Sequence, residues 1–159
     1  MAVAANGVVG NNNSLPWSYP DELEHFRKTT DGQVMVMGRK TFDSTPANLF
    51  KQTPIVFSKD KSHLKSCAVV GSIQEFLAHI THQEARKIFM IGGAEIAKLF
   101  LEHNLISEFI LTKIHKNYDG DARMDLNYFD QWHQRVITET DDYTTYNFKN
   151  PKGAENDIY

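Results

Sequence analysis

The sequence predicts an α/β fold in which a mostly parallel sheet is covered by helices on both faces and followed by an antiparallel hairpin. Short apolar runs alternate along the chain with segments of helical pattern. These runs are apolar at nearly every position, which is typical of strands buried on both faces. Because strands and helices alternate, crossover connections between parallel strands are expected. The 159 residues, 41% of them hydrophobic, suit one domain with a sizeable core.

Each element follows from the local pattern. Helices are expected at 20–28, 39–44, 73–80 and 94–103. Ser72 and Glu75 provide the capping pattern for the third helix. Buried strands are expected at 34–37, 55–57, 68–70, 88–91 and 109–111. Segments 132–140 and 143–148 predict the terminal hairpin. The domain is expected to span 1–150, and the mostly polar residues 151–159 are expected to form a loose tail.

Composition and charge argue against several classes of function. The net charge is −3 with neutral His, and the cationic residues are scattered, so no nucleic-acid partner is expected. The single cysteine, Cys67, excludes an intramolecular disulfide and suits a reducing compartment. The first residues lack a positive leader and a long apolar run, so neither an export signal nor a membrane anchor is expected. We expect a cytoplasmic protein and a monomer.

The segment Leu15-Pro16-Trp17 precedes a carboxylate that is a candidate for proton chemistry. Glu22 falls at the start of the first predicted helix, on the same face as Phe26. A carboxyl group beside large apolar side chains is disfavoured in its charged form, so its pKa rises toward neutrality and suits proton transfer to a bound ring. The alternative is structural, because Asp21, Glu22 and Glu24 also stabilise a helix N-terminus. This segment alone does not distinguish the two interpretations.

Three predicted strands end in residues suited to bind phosphate. The run 88–91 leads into Gly92-Gly93 and a helix start, where N–H groups and the lack of Cβ atoms allow an anion to approach. The run 34–37 ends in Gly38-Arg39-Lys40-Thr41, and the run 55–57 ends in Ser58-Lys59. Ligands of open α/β sheets bind at the carboxyl ends of the strands. Together these ends predict a dinucleotide cofactor with an additional phosphate.

The sequence predicts no metal site. His79 and His82 have a spacing that metals use, but no cysteine or third ligand accompanies them, so they are interpreted as surface histidines. Three aspartates alternate between 119 and 125 like calcium ligands, but Arg123 occupies a ligand position and the closing glutamate is missing. This segment is interpreted as an acidic loop.

Taken together, the motifs resemble the dihydrofolate reductase family. The matching segments follow the family's order and approximate spacing, and they lie at 4–10, 15–17, 20–23, 26, 36–42, 91–96, 111–114 and 119–121. The resemblance implies an eight-stranded, mostly parallel sheet with flanking helices. It also implies NADPH as the hydride donor and reduction of 7,8-dihydrofolate to 5,6,7,8-tetrahydrofolate.

The resemblance further implies roles for individual residues. A buried Glu22 holds the amino and ring-nitrogen edge of the pterin and promotes its protonation, Thr112 supports that carboxylate, and Trp17 orders an adjacent water. The expected substrate site comprises Ala4, Ala5, Glu22, Phe26, Leu49, Lys51, Ile91 and Thr112. The expected NADPH site comprises Ala5, Val9, Gly10, Leu15, Gly38, Arg39, Lys40, Thr41, Ser58, Lys59, Ile91, Gly92, Gly93, Ala94, Glu95 and Ile96. Gly92-Gly93 corresponds to a cis peptide beside the nicotinamide, and the loop 10–17 resembles a mobile loop that closes over it.

Three departures from the family pattern bear on these expectations. Gln52 stands where the family usually has an Arg for the α-carboxylate of folate, and an amide cannot replace a guanidinium. Lys51 is the favoured substitute, with Arg27 and Lys28 as alternatives; otherwise folate binds weakly or the substrate lacks that tail. Ala97 stands where many members have a Tyr. The first strand is shorter than the family's, which should lower stability unless translation starts upstream, and mass analysis of the native N-terminus distinguishes these two cases.

Two other functions stay open at this point. A riboflavin-pathway pyrimidine reductase shares the fold and NADPH, and the missing Arg suits its substrate, but Leu-Pro-Trp with a following Glu is typical of a folate site. A non-catalytic NADPH- or pterin-binding relative is supported by Gln52 and Ala97 alone. Because function depends on the site rather than on the fold, the folate enzyme is the favoured interpretation.

Overall fold

A computed structural model describes residues 1–62, 64–81, 87–154 and 158–159, and it confirms the predicted fold class. The described α-helices are α1 (Pro20–Thr30), α2 (Arg39–Ser44), α3 (Ile73–Ile80) and α4 (Ala94–Glu102). The described strands are β1 (Ala2–Val3), β2 (Val8–Gly10), β3 (Val34–Gly38), β4 (Ile55–Phe57), β5 (Ala68–Val70), β6 (Ile88–Gly92), β7 (Glu108–Ile114), β8 (Ala122–Arg123), β9 (His133–Glu139) and β10 (Tyr143–Lys149). Short 3-10 helices cover Ala47–Leu49 and Leu126–Phe129. None of the described helices has the length and hydrophobicity needed to cross a bilayer.

One half of the structure is a parallel sheet in the order β5-β4-β3-β6. Side chains of a strand alternate between its two faces, and those of β3 are buried on both. Val34 and Val36 pack in the cluster that contains side chains of α3 and α4. Met35 and Met37 pack on the other face, beside Phe42 of α2. Helices therefore cover both faces, which explains why β3 is apolar without interruption.

The other half is a four-stranded sheet in the order β1-β7-β10-β9. β1 is parallel to β7, whereas β10 is antiparallel to both β7 and β9, so the predicted terminal hairpin is confirmed. The register places Thr145 of β10 directly opposite Thr112 of β7. All of β9 is exposed because it forms the edge of the sheet. The eight expected strands are thus divided between two sheets instead of forming one continuous sheet.

The last two residues lie between these two halves. Ile158 forms parallel bridges with Ile88 of β6 and with Ile106, just before β7. Its side chain is fully buried in the main core. The expectation of a loose tail is therefore wrong for residues 158 and 159, because an apolar side chain enters the core and its backbone joins the sheet. The first strand, β1, is short, as expected, and has only two residues.

β2 and β8 form a separate antiparallel pair next to the loop 10–17. The loop turns at Asn12 and Asn13, whose φ angles of 47° and 61° are left-handed. Asn11 and Ser14 exchange backbone hydrogen bonds of 2.8 and 2.9 Å across this turn. Asn tolerates this conformation better than most residues, which accounts for the Asn-rich sequence. The backbone N–H of Asn12 donates to Asp121 Oδ1 at 3.2 Å, so the acidic loop anchors the turn.

Candidate active site

A cavity of roughly 510 Å³, including solvent space at its mouth, lies between α1, β6 and β7. Four residues of the expected substrate site line it. Glu22 and Phe26 come from α1, Ile91 from β6 and Thr112 from β7. The fold therefore brings together side chains that are up to 90 positions apart in the sequence.

Glu22 is held at the cavity wall by a chain of two hydroxyl groups. Thr112 Oγ1 donates to Glu22 Oε1 at 3.1 Å and lies 3.0 Å from Thr145 Oγ1. Since the single hydroxyl proton of Thr112 goes to Glu22, Thr145 donates to Thr112. Both threonines are 2% exposed. Glu22 itself is half-buried rather than buried, and it lies in the first turn of α1.

Trp17 is buried but does not reach the cavity wall. It packs in a small cluster with Ala4 and Val8, and its ring meets that of Tyr118 edge-on at a centroid distance of 5.3 Å. The indole N–H has no hydrogen-bond partner among the described residues. A buried, unpaired N–H is a donor that a water or a ligand can satisfy.

Ala4 and Ala5 lie outside the cavity, although the resemblance places them at the pterin. Ala4 is buried in the cluster around Trp17, and Ala5 is exposed. The physical reason is that β1 ends at Val3, so the chain has left the sheet by the next two residues.

Met1 lines the cavity instead. Its amino nitrogen donates to the carbonyl oxygen of Ile110 at 2.8 Å. Burial lowers the pKa of this amino group, and the Glu22 carboxylate opposes that shift. The Met1 side chain also reaches the glycine pair at the end of β6, because a Cβ on Gly92 would lie 3.4 Å from Met1 Cε.

The N-termini of α2 and α4 meet at the carboxyl ends of β3 and β6. Gly38 and Gly93 are their N-caps, and no side chain caps either helix. A Cβ on Gly38 would lie 3.1 Å from Ile96 Cγ1, and a Cβ on Gly93 would lie 3.4 Å from Thr41 Oγ1. Uncapped helix N-termini and absent Cβ atoms together fit a phosphate-bearing cofactor. The Gly92-Gly93 peptide bond is cis, as the resemblance implies.

Two of the polar groups expected at the cofactor phosphates have hydrogen-bond partners within the chain. Arg39 Nε donates to Asp43 Oδ2 at 2.9 Å, and Ser58 Oγ donates to the carbonyl oxygen of Asp60 at 2.7 Å. Arg39 and Asp43 are both partly exposed, so this ion pair is weak and can exchange for a phosphate.

The remaining predicted residues differ in their exposure to solvent. In the expected cofactor site, four of these residues are half-buried: Val9, Gly10, Ala94 and Ile96. Four others are exposed: Leu15, Lys40, Lys59 and Glu95. Leu49 is half-buried at the end of a 3-10 helix. Lys51 Nζ forms an ion pair with Asp31 Oδ1 at 2.5 Å, so the expected substitute for the missing Arg is paired with an acid.

No group of three or more His, Cys, Asp or Glu side chains in the described part of the chain is arranged to hold a metal. His82, one of the two histidines with metal-like spacing, lies outside the described residues. In the acidic loop, Asp125 accepts a hydrogen bond from the backbone N–H of Asn127 at 2.9 Å and caps the following 3-10 helix.

Sequence reasoning missed several residues of the cavity wall. His25 and Thr29 line it together with Glu22 and Phe26, and these four positions follow the helical i, i+3, i+4, i+7 spacing, so the period could have revealed them. Tyr159 also lines it, but no local pattern connects residue 159 with Glu22.

The fold and the site define an α/β protein with a carboxylate at the wall of a cavity and two glycine-capped helices. The sequence profile of the dihydrofolate reductase family matches residues 1–151. The chain is 33% identical over 153 residues to the dihydrofolate reductase of Mycoplasma genitalium, covering 92% of this chain and 91% of that one. It is 31% identical over 156 residues to the dihydrofolate reductase of Bacillus subtilis, covering 98% and 88%.

A solved structure with a similar fold is the dihydrofolate reductase of Enterococcus faecalis complexed with NADP(H) and RAB-propyl. The TM-score is 0.76 at 24% identity, with 94% of each chain covered. The chain belongs to the dihydrofolate reductase family, which confirms the family and the enzyme class expected from its motifs.

Proposed function

We propose that the protein reduces 7,8-dihydrofolate to 5,6,7,8-tetrahydrofolate, with NADPH as the hydride donor and Glu22 as the group that promotes protonation of the pterin. The observation that carries this proposal is the Glu22 carboxylate, held at the wall of a cavity by Thr112 in a chain of this family. The bond from Thr112 engages Glu22 Oε1 only. A carboxylate accepts several hydrogen bonds, so Glu22 can also receive the N–H edge of a pterin.

The chain's own residues supply binding and orientation. Phe26 of α1 and Ile91 of β6 offer apolar contacts to a flat heterocycle at the cavity wall. Trp17 lies outside the cavity wall, and its unpaired indole N–H supports the proposal that it binds an ordered water. A site that positions the reacting rings and limits access of water is what hydride transfer requires.

Family membership and the geometry of the paired helix N-termini support NADPH as the cofactor. Arg39, Lys40 and Thr41 would hold its phosphates at α2, together with Ser58 and Lys59. Gly92 and Gly93 would let the backbone approach the nicotinamide. When bound, NADPH supplies the hydride.

The experiment is steady-state turnover of wild type and Glu22→Gln, followed by the absorbance of NADPH. Glu22→Gln should keep NADPH affinity but lose most turnover at neutral pH, because an amide does not ionise near neutral pH and so cannot promote protonation of the pterin. Glu24→Gln is the matched control, since Glu24 lies on the same helix and forms only an exposed pair with Lys28 at 3.5 Å. Unchanged rates in Glu22→Gln would refute its role. A wild type without turnover would indicate a non-catalytic relative.

We propose Lys51 as the group that receives the α-carboxylate of the substrate. Its ion pair with Asp31 is exposed and therefore weak, so a ligand carboxylate can compete with Asp31. Lys51→Ala should raise KM for dihydrofolate far more than KM for NADPH, and Asp31→Asn should lower KM for dihydrofolate. Equal changes in both KM values would contradict the assignment. Comparing dihydrofolate with a tail-less dihydropterin tests whether the tail is recognised at all.

A further inference from the structure

Tyr118 connects the segment between β7 and β8 with the residues that lead into α1. Its hydroxyl oxygen lies 3.0 Å from that of Tyr19, so one of the two groups donates a hydrogen bond to the other. This bond raises the pKa of Tyr19 to about 12, so the Tyr19 hydroxyl keeps its proton at neutral pH. The ring of Tyr118 also meets the ring of Trp17 edge-on, with centroids 5.3 Å apart. Tyr118 therefore contacts two residues of the short segment that precedes the acid.

The backbone of Tyr118 is held by the side chain of Asn6. Asn6 Nδ2 donates to the carbonyl oxygen of Tyr118 at 2.9 Å, and the backbone N–H of Tyr118 donates to Asn6 Oδ1 at 3.3 Å. A side-chain amide that bonds to both backbone groups of one residue fixes the orientation of that residue. Tyr118 is therefore an anchored support for the Tyr19 hydroxyl.

Tyr19 in turn determines where the first turn of α1 lies, because it is the N-cap of this helix. Its carbonyl oxygen accepts the backbone N–H of Leu23 at 3.1 Å, which closes the turn that contains Glu22. Its ring packs edge-on against that of Tyr143, with centroids 5.8 Å apart. Among the described residues, no side chain caps the helix, so the turn depends on these contacts of Tyr19. A displacement of Tyr19 would move the carboxylate of Glu22.

We propose that Tyr118 is a positioning residue of the active site, which holds Trp17 and Tyr19 and, through Tyr19, the carboxylate of Glu22. The proposal rests on the proposed function for the roles of Glu22 and Trp17. Glu22 is then fixed in two ways: Thr112 binds its carboxylate directly, and the bond between the two tyrosines fixes the helical turn that carries it. Catalysis by a positioned group depends on its geometry. A looser turn should therefore lower turnover although no group that contacts the substrate has been removed.

The test removes each tyrosine hydroxyl separately and measures steady-state kinetics, calorimetric binding of dihydrofolate and urea unfolding. Tyr118→Phe and Tyr19→Phe keep both rings but break the bond between them. Each should lower kcat by about threefold to tenfold, the size expected for one hydrogen bond, with KM for NADPH close to that of wild type. The double variant should lose no more activity than either single variant, because both substitutions remove the same bond.

Tyr128→Phe is the matched control. The Tyr128 hydroxyl also donates a hydrogen bond, to Glu102 Oε1 at 3.2 Å, but Tyr128 lines a separate pocket beside α4, so kcat should stay at the wild-type value. A spectroscopic measurement follows Trp17 directly. The chain has two tryptophans, so in a Trp132→Phe background the emission reports Trp17 alone. Tyr118→Phe should increase the quenching of this emission by acrylamide, because Trp17 loses a fixed neighbour.

Each result decides the proposal. A lower kcat in both single variants, with no further loss in the double variant and stronger quenching of Trp17, supports it. A loss of stability with unchanged kcat overturns it by assigning the tyrosines a structural role only, and so do activity losses that add in the double variant. If Tyr118→Phe does not fold, Tyr19→Phe decides.

The binding measurement separates this proposal from the proposed function. A wild type that binds dihydrofolate without turnover refutes the proposed function, and the Kd for dihydrofolate then decides the role of Tyr118. A raised Kd in both single variants supports that role, and an unchanged Kd overturns it. A wild type that does not bind dihydrofolate overturns both proposals.

Discussion

Replacing Thr112 by Val should separate the function of the hydroxyl chain at Glu22 from its contribution to stability. Val has nearly the shape of Thr but no hydroxyl group. The substitution removes the bond to Glu22 at 3.1 Å and leaves the Thr145 hydroxyl, 2% exposed, without its 3.0 Å acceptor. Activity should fall because Glu22 loses a hydrogen bond, whereas stability should fall because the buried hydroxyl of Thr145 loses its acceptor.

The magnitudes follow from the kind of hydrogen bond. A hydrogen bond to a charged group contributes about 1.5–3 kcal/mol. Because Glu22 is only half-buried, the bond from Thr112 should contribute near the lower end of this range. A free-energy change of that size corresponds to a change on the order of tenfold in kcat/KM. An unsatisfied buried hydroxyl lowers the free energy of unfolding by about 1–3 kcal/mol. Thr112→Val should therefore lose about tenfold in kcat/KM and also lose stability.

The matched controls are Thr145→Val and the double variant. Thr145→Val keeps the bond from Thr112 to Glu22, so its activity should stay near wild type while its stability falls. The double variant replaces both partners by apolar groups of the same shape, so it should recover stability but not activity. Steady-state kinetics and urea unfolding measure the two quantities. Equal activity losses in Thr112→Val and Thr145→Val would refute the reasoning.

Three further predictions concern regions away from the cavity. Gly120→Ala should lower the free energy of unfolding, measured by urea denaturation, by about 3 kcal/mol, because a Cβ there clashes with Gly10 O and Val8 Cγ1. A Cβ on Gly71 meets no atom nearer than 3.7 Å, so Gly71→Ala should be about as stable as wild type. Equal stabilities of the two variants would contradict this prediction. Burial raises the pKa of the Cys67 thiol, so its alkylation rate should rise with pH at a midpoint above that of free cysteine, and a lower midpoint would contradict this. The hydrogen bond from Lys61 lowers the pKa of Glu75, so Lys61→Ala should raise that pKa in an NMR titration. The stability lost in this variant should appear above the usual carboxyl pKa and fade as pH falls; a loss confined to acid pH would be the wrong sign.

The sequence was sufficient to predict features that depend on residues close together in the chain. The apolar run of β3 predicted a strand buried on both faces, because burial on two faces requires apolar residues at successive positions. Ser72 predicted the start of α3, and its side chain accepts the backbone N–H of Glu75 there. The helix period also placed Glu22 and Phe26 on one side of α1, where both line the cavity.

The sequence was insufficient to predict contacts between segments that are far apart in the chain. The position of Tyr159 beside Phe89 depends on the backbone hydrogen bonds of Tyr159 with β6, which no pattern near residue 159 records. The ion pair of Lys51 with Asp31 likewise depends on how the end of α1 packs against the segment before β4. Ala4 lies beyond the end of β1 in the cluster around Trp17, and the sequence motif alone does not record where β1 ends.

The pairing of β1 with β7, and of Ile158 with Ile88 and Ile106, has a consequence for how the polypeptide folds during synthesis. Ala2 cannot pair with Thr112 until Thr112 has emerged from the ribosome, and the same holds for the pairing of Ile88 with Ile158. Contacts between residues so far apart close slowly because the intervening chain must first be ordered. Until residue 158 has emerged from the ribosome, β6 therefore keeps one edge unpaired, and unpaired edges are where chaperones and aggregation compete for a newly made protein.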